Sequence, residues 1–245
     1  MAGGTFLWLY LSFGQRWLSQ KPFQQSTASE HTSSERTYSW QLIRHDIGLS
    51  ISSGVIFAVL AAFIMMAYKA GYTQLYQDVS LHGWWYLGAS FGLTLILQDS
   101  YFYFTHRLMH HPSVFGRWHR GHHRSRVPTP WTSFAFELGE ALIQGSFFIG
   151  LVFLIPIHFA TLIVALLTMT LWAIATHLGH PLISENHSPG LSENYFRWIG
   201  KGCIGPAHHG LHHRYYRFHF GLYFTFWDHL LGTTHPSYKT DILNP

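Results

Sequence analysis

One cysteine, Cys203, in 245 residues excludes an intrachain disulfide, a cysteine-based zinc site and an iron–sulfur cluster held within one chain. It leaves the redox compartment open. Charge is nearly as scarce: Asp, Glu, Lys and Arg make up 11% of the chain, against roughly a quarter in soluble domains. No phosphate-cradling glycine loop, GxSxG elbow or Rossmann fingerprint occurs, so the chain brings no nicotinamide or flavin site of its own. Any electrons for redox chemistry then come from a separate protein. Residues 1–15 are apolar but broken by glycines and polar residues. They lack the basic start of a signal peptide and are short for a crossing, so an interfacial helix or short anchor is expected there.

What the chain does have is apolar surface: 48% hydrophobic and 18% aromatic residues, a composition suited to a multi-span membrane protein. Residues 1–46 divide into the apolar segment and a Ser/Thr/Gln-rich polar linker at 19–39, and 47–245 forms the membrane-embedded domain. Ile47–Tyr68 is 22 residues without a formal charge, and a second span is expected from about Trp84 to Thr105. From Ala141 to Ser184 there are 44 residues with no Asp, Glu, Lys or Arg. As a single helix this run would be about 66 Å long, about twice the hydrocarbon thickness. Pro156 therefore marks a tight turn between two crossings, roughly 141–155 and 158–178, the first short enough to extend back toward Phe134.

Ten of the fifteen Lys and Arg residues lie in 106–126 and 197–239, the segments that also hold histidine clusters. The long uncharged runs beside them argue against nucleic acid and for lipid headgroups or an acidic electron-transfer partner. Two crossings between Arg126 and His177 bring both clusters to one side, and the positive-inside rule makes that side the cytoplasm.

Histidine is 20 of 245 residues, and 17 of these lie between His106 and His235. The pattern His-x-x-His-His occurs twice, at His119/His122/His123 and His209/His212/His213. His106 and His110, at the end of the second span, and His177 with His180, after the fourth, join them. Residues three and four apart share a helix face, so each set offers several imidazoles in one direction. Neutral imidazole ligates iron, zinc, copper and nickel. Nine or ten rings are too many for one ion and suit two. Isolated histidines are ordinarily surface or hydrogen-bonded residues, and His31, His45, His82, His158, His187 and His235 are read so. His111 and His208 flank the clusters and are read either as replacement ligands or as outer partners.

Acids are few. Asp99, two helical turns before His106, is expected to orient a ligand histidine through its non-ligating nitrogen. Glu137, Glu140 and Asp228 are candidates for the same role, with a turn or cap as the alternative for Asp228. Phe102, Tyr103, Phe104, Trp131, Phe134, Phe136, Trp172 and Phe224 either wall a lipid tunnel or serve as ordinary packing and interface residues.

The stretch Gln98–His111 (QDSYFYFTHRLMHH), followed by Trp118–His123 (WHRGHH), resembles the signature of the fatty acid hydroxylase/sterol desaturase superfamily. Ala207–His213 (AHHGLHH) and Phe220–Thr233 (FGLYFTFWDHLLGT) are similar to its closing block. The resemblance covers about residues 95–235 and is nearest the C-4 methylsterol oxidase-like and C-5 sterol desaturase-like branches. It implies an all-α integral membrane protein with about four transmembrane helices in two hairpins. A cytoplasmic helical cap would hold a histidine-rich dimetal site. It further implies two iron ions, which zinc replaces in purified samples, with O2 as co-substrate. An external donor of the cytochrome b5, ferredoxin or reductase type would supply electrons for hydroxylating or desaturating a lipid C–H bond. The ligand set carried over is His106, His110, His119, His122, His123, His177, His209, His212 and His213. His180 is a less regular tenth, because relatives vary in spacing there. Outer-partner candidates are Asp99, Glu140, Asp228, His111 and His208, and no catalytic residue separate from the ligands is implied. The chain departs from the family at His219-Phe220-Gly221, where Asn-Tyr-Gly is usual, which puts the local hydrogen bonding in question.

Three activities compete. The first is oxidation of a sterol-like lipid. The second places fatty acyl, carotenoid or ether lipids at the same centre. The third is a non-catalytic membrane metal-binding or transport protein, which predicts ligands along the spans near the bilayer midplane, whereas here they gather at span ends.

Overall fold

A computed structural model describes residues 40–126, 128–178 and 202–236. Seven α-helices are present among them: α1 (Trp40–Lys69), α2 (Trp84–Met109), α3 (Pro112–Trp118), α4 (Leu138–Leu154), α5 (Phe159–Thr176), α6 (Pro206–Tyr215) and α7 (Phe226–Leu230). The four stretches expected as spans are helical, as α1, α2, α4 and α5. Of these, α1 and α5 are long and apolar enough to cross a membrane. The first helix begins at Trp40, ahead of the expected Ile47, and so takes in Asp46, which the sequence reading left outside the first span. The Pro156 turn falls where expected: α4 stops at Leu154 and α5 starts at Phe159, its first turn capped by His158 Nδ1, which accepts the Ala160 N–H at 3.0 Å.

Polarity is distributed inside out. Among the described residues more polar than apolar ones are buried, whereas Ile51, Val55, Val59 and Met66 on α1 and Leu167 and Leu171 on α5 are more than half exposed. A water-soluble surface does not carry apolar faces of this extent. The buried stripe of α2 is polar, with Ser90, Thr94 and Gln98 one turn apart. Ser90 and Thr94 return their hydroxyls to the carbonyls of Tyr86 and Ser90, which keeps those groups satisfied inside the bundle.

At one end of the bundle two short strands the sequence does not announce, β1 (Leu75–Tyr76) and β2 (Ile157–His158), pair in parallel and join the α1–α2 loop to the α4–α5 turn. His158 Nε2 adds a bond to the Gln77 carbonyl at 2.8 Å. An apolar core of Ile64, Leu75, Phe148, Leu151, Val152 and Ile157 packs beside them. At the other end, Asp46 accepts the hydroxyls of Ser125 and Thr132, both at 2.8 Å, and Ser53 donates to the Phe134 carbonyl at 2.6 Å. These bonds tie the start of α1 to the 3-10 turn Pro130–Phe134 and so close the end that carries the histidines.

Candidate metal centre

The His-rich segments meet at that closed end. His106 and His110 come from the last turn of α2. His119 ends α3, His122 and His123 lie in the 3-10 turn that follows, and His177 follows α5. His209, His212 and His213 project from α6, whose start is set by Pro206 at its first position. All nine rings are buried. They form two groups: His106, His110, His119, His123 and His212 in one, His122, His177, His209 and His213 in the other. Within each, the nitrogens that face inward lie within 4.8 Å of one another. Each His-x-x-His-His motif is therefore divided. It gives its i and i+4 rings to one group and its middle ring to the other. On α6 the reason is rotational: at about 100° per residue, i and i+4 differ by about 40°, while i+3 lies about 100° from i+4.

The inward distances suit a cation. Nε2 of His106 is 3.1 Å from Nε2 of His119, His110 is 3.1 Å from His123, and His123 is 3.1 Å from His212. In the second group His209 Nε2 lies 2.9 Å from that of His177 and 3.0 Å from that of His213. Two imidazole nitrogens at right angles around an ion with bonds of about 2.1 Å stand about 3.0 Å apart.

The outer nitrogens decide what these contacts are. Nδ1 of His106 donates to the Phe220 carbonyl at 3.1 Å, and His119 Nδ1 lies 2.9 Å from Glu140 Oε2 in a short but bent contact between two buried groups. With its single proton on Nδ1, His106 turns a bare Nε2 lone pair toward His119 across 3.1 Å. His177 and His213 are committed likewise, to the carbonyls of Ala173 (2.7 Å) and Ser125 (3.0 Å), and His212 to that of Phe218 (2.7 Å). In the second group His209 Nε2 carries at most one proton yet faces the bare Nε2 atoms of both His177 and His213, so at least one of these contacts sets lone pair against lone pair and repels unless a cation lies between. The donor set thus fits two metal ions, and outer carbonyls fix the tautomers of His106, His177, His212 and His213.

Burial holds the rings neutral. It lowers His119 to about 3 and His177 to about 4. The rings of His122, His123, His209, His212 and His213 fall well below the ordinary histidine value, through burial first and neighbouring imidazoles second. Neutral imidazole is the form that binds metal.

The remaining site candidates take other places. Asp99 does not orient a ligand ring: its Oδ1 accepts the backbone N–H groups of Leu222, Tyr223 and Phe224 at 2.7–3.1 Å. Spacing put it on the His106 face, but the returning chain occupies that position first. Asp228 acts one step removed, accepting the N–H groups of Phe220 and Gly221 and the Thr233 hydroxyl, so it shapes the turn whose carbonyl holds His106. Burial raises its carboxyl to about 6. Glu140 is at His119, as expected of an outer partner, and Glu137 accepts the Gly121 N–H beside it. His111 caps α3 through Nδ1, and His208 Nδ1 accepts the Gly205 N–H; neither joins a group. His180 lies outside the described residues.

The departure at His219 has a backbone explanation. Its φ is +56°, a left-handed conformation that Asn, Asp and His adopt more readily than most residues, and its Nε2 accepts the His235 N–H. The residues missed from sequence are those whose carbonyls accept the ring N–H groups, Phe218, Phe220, Ala173 and Ser125, which carry no side-chain signal. Asp46, buried and bonded to Ser125 and Thr132, was also missed.

A cavity of about 560 Å³ ends on His106, His119, His122, His177 and His209, so both groups face it. Its walls come mainly from α1, α2, α4 and α5, with the Pro130–Phe134 turn and residues 204 and 221–222 closing the histidine end, and are apolar apart from a few polar side chains such as Gln98, Ser133 and Gln144. Of the eight aromatics considered, Phe102, Phe134 and Phe136 line it. That volume is within the usual range for a small-molecule pocket, roughly 300–1,000 Å³.

Among characterised proteins, the chain is similar to a Delta(7)-sterol 5(6)-desaturase of Gibberella zeae, 29% identical over 78% of this chain and 55% of the relative. A second from Aspergillus fumigatus is 30% identical over 78% and 62%. Lathosterol oxidase of Mus musculus is 31% identical over 68% and 53%. The chain thus spans only between a half and two thirds of the length of these relatives. No solved structure matches it. A sequence profile of the family named Fatty acid hydroxylase matches residues 91–233, which include every described histidine of both groups, and the chain belongs to that family, on its sterol desaturase-like branch.

Proposed function

We propose that this chain is a membrane-bound, di-iron lipid oxidase that uses O2 and externally supplied electrons to hydroxylate or desaturate a C–H bond of a sterol-like lipid. The observation that carries this reading is the junction of two buried all-imidazole groups with one apolar cavity. The names of the relatives favour desaturation of a sterol nucleus. Desaturation consumes one O2, two electrons and two protons and releases two waters as two C–H hydrogens leave. Hydroxylation with the same inputs places one oxygen in the product and releases one water.

An iron pair supplies the oxidising power for an unactivated C–H bond. The chain's own residues do the rest. Five histidines hold one ion and four the other, with Glu140 and the carbonyls of Phe218, Phe220, Ala173 and Ser125 keeping the rings oriented. Phe102, Phe134 and Phe136 exclude water from the space beside the rings and pack against the substrate.

All four of α1, α2, α4 and α5 cross the membrane in this reading, and Arg117, Arg120, Arg124, Arg214 and Arg217 beside the rings put the metal end in the cytoplasm. A cytochrome b5-, ferredoxin- or reductase-type donor docks there. Metal transport is disfavoured because the donors collect at helix ends instead of along the spans.

Protein purified from iron-replete cells is expected to hold two irons per chain, and His122→Ala or His212→Ala is expected to abolish lipid-dependent O2 uptake without preventing membrane insertion. Stoichiometric iron with no O2 uptake against any extracted lipid defeats the enzyme reading. Mass spectrometry of lipids from cells with and without the chain identifies the substrate and separates alkene from alcohol.

A further inference from the structure

We propose that the seam between α1 and α5 is a lateral port through which an elongated lipid slides from the bilayer interior onto the histidine groups. The proposal deepens the lipid-oxidising reading and rests on it for the identity of the cargo.

Among the described residues, helix packing leaves one side of the bundle open. Helix α1 packs on α4, α4 on α2 and α2 on α5, but α1 and α5 share no comparable interface. The opening is framed at both ends. Toward the histidines, the turn Pro130–Phe134 packs on α1 and on α5 and bridges them. At the far end, Tyr68 and Phe159 meet edge to face with centroids 4.8 Å apart. Between these two closures both helices contribute residues to the cavity wall.

Exposure locates the rim. Every exposed residue in the cavity wall belongs to α1 or α5: Ala61 and Met65 on the first, Ile163 and Leu166 on the second. The wall residues supplied by α2 and α4 are all buried or half-buried. A cavity that reaches the outside at four such residues opens through that seam. Helix faces beside it are also apolar, with Val59 and Phe63 exposed on α1 and Val164 and Leu167 on α5. The opening therefore meets hydrocarbon, and water-borne cargo would find no polar lip.

Position along the helices constrains the cargo. Leu166 and Ile163 precede His177 by 11 and 14 residues, or about 16 and 21 Å of helix, which places the rim about halfway through a bilayer core roughly 30 Å thick. A molecule still seated at the rim while one of its carbons touches the rings is thus at least about 16 Å long and apolar along that length. An extended or fused-ring lipid meets this requirement.

The full chain in lipid nanodiscs tests the port in two ways. A photoactivatable diazirine sterol is expected to cross-link to peptides containing residues 57–65 and 162–170. Narrowing the rim with Ala61→Trp and Ile163→Trp together is expected to lower lipid-dependent O2 uptake by about tenfold or more with metal content unchanged. Val164→Trp, one residue along and outside the wall, is expected to retain it. Cross-links confined to other segments overturn the port, as does a double variant that oxidises lipid at the parent rate. If the double variant fails to fold, the cross-link map of the parent protein decides. Cross-links at the seam without O2 uptake on any lipid would uphold the port and defeat the oxidase.

Discussion

The two histidine groups differ in number and in what holds them. The five-membered group leans on a turn and an acid: the 218–221 turn gives carbonyls to His212 and His106, and Glu140 meets His119. The four-membered group leans on the Ala173 carbonyl of α5 and on that of Ser125. Because each His-x-x-His-His motif serves both groups, neither can be assembled alone. What separates them is redundancy: one can lose a ring and keep four, the other is left with three.

The largest expected effect tests that redundancy. His177→Ala leaves three donors and should reduce metal from two to one per chain, with at least about a hundredfold loss of turnover. His110→Ala should keep two metals, measured by plasma mass spectrometry. Equal metal loss in both variants would end the distinction. Next comes Glu140→Gln, which should weaken retention of the five-histidine metal about 10–100-fold against a chelator and leave the other ion in place. Simultaneous release of both ions would mean the groups act as one.

Gly221→Ala should follow. A Cβ there would run into the Phe224 carbonyl and stand 3.2 Å from Asp228 Oδ2, displacing the turn behind His106 and His212. A loss of about 1–3 kcal/mol in thermal stability is expected, with the five-membered group again the one to suffer. Unchanged melting and metal content would show that the turn does not set the rings.

The smallest effect is on the metal-free protein. His119 near 3 and His177 near 4 sit below the ordinary value of 6.5, so their stabilising neutrality is complete above that value and is lost as pH falls toward 4. Each contributes a slope of up to about 1.4 kcal/mol per pH unit in that window. Asp228, raised to about 6, has the opposite sign: its penalty is full above pH 6 and eases as the pH falls toward 4. Burial also raises Glu137, but the lowered rings of His119, His122, His123, His177, His209, His212 and His213 outnumber the raised acids, so chelated protein should melt lower at pH 5.5 than at 7.5. A higher melting point at pH 5.5 would contradict the buried neutral rings.

Much of the helical frame was legible because uncharged runs and Pro156 leave few alternatives, and the even number of helices between the motifs already brought them to one end. The division of each motif was not legible, since it depends on how α3 and α6 are rotated against one another. Asp99 shows the limit of same-face reasoning. Seven residues before His106 is the correct face, but three N–H groups from residues 222–224, more than 120 positions away, reach its carboxylate first. The open seam was likewise invisible, because α1 and α5 read as apolar on all sides whether they touch a neighbour helix, a cavity or lipid.

The two-residue strands far from the histidines act as a height gauge. Pairing Leu75 with Ile157 and Tyr76 with His158 fixes the vertical offset of the α1–α2 hairpin against the α4–α5 hairpin, one of which presents His106 and the other His177. A slip of one strand residue would shift that offset by about 3.3 Å. Metal bonds tolerate only about 0.2 Å. Alignment of the two histidine groups is thus set in part at the opposite end of the molecule, by a ladder too short to carry stability of its own.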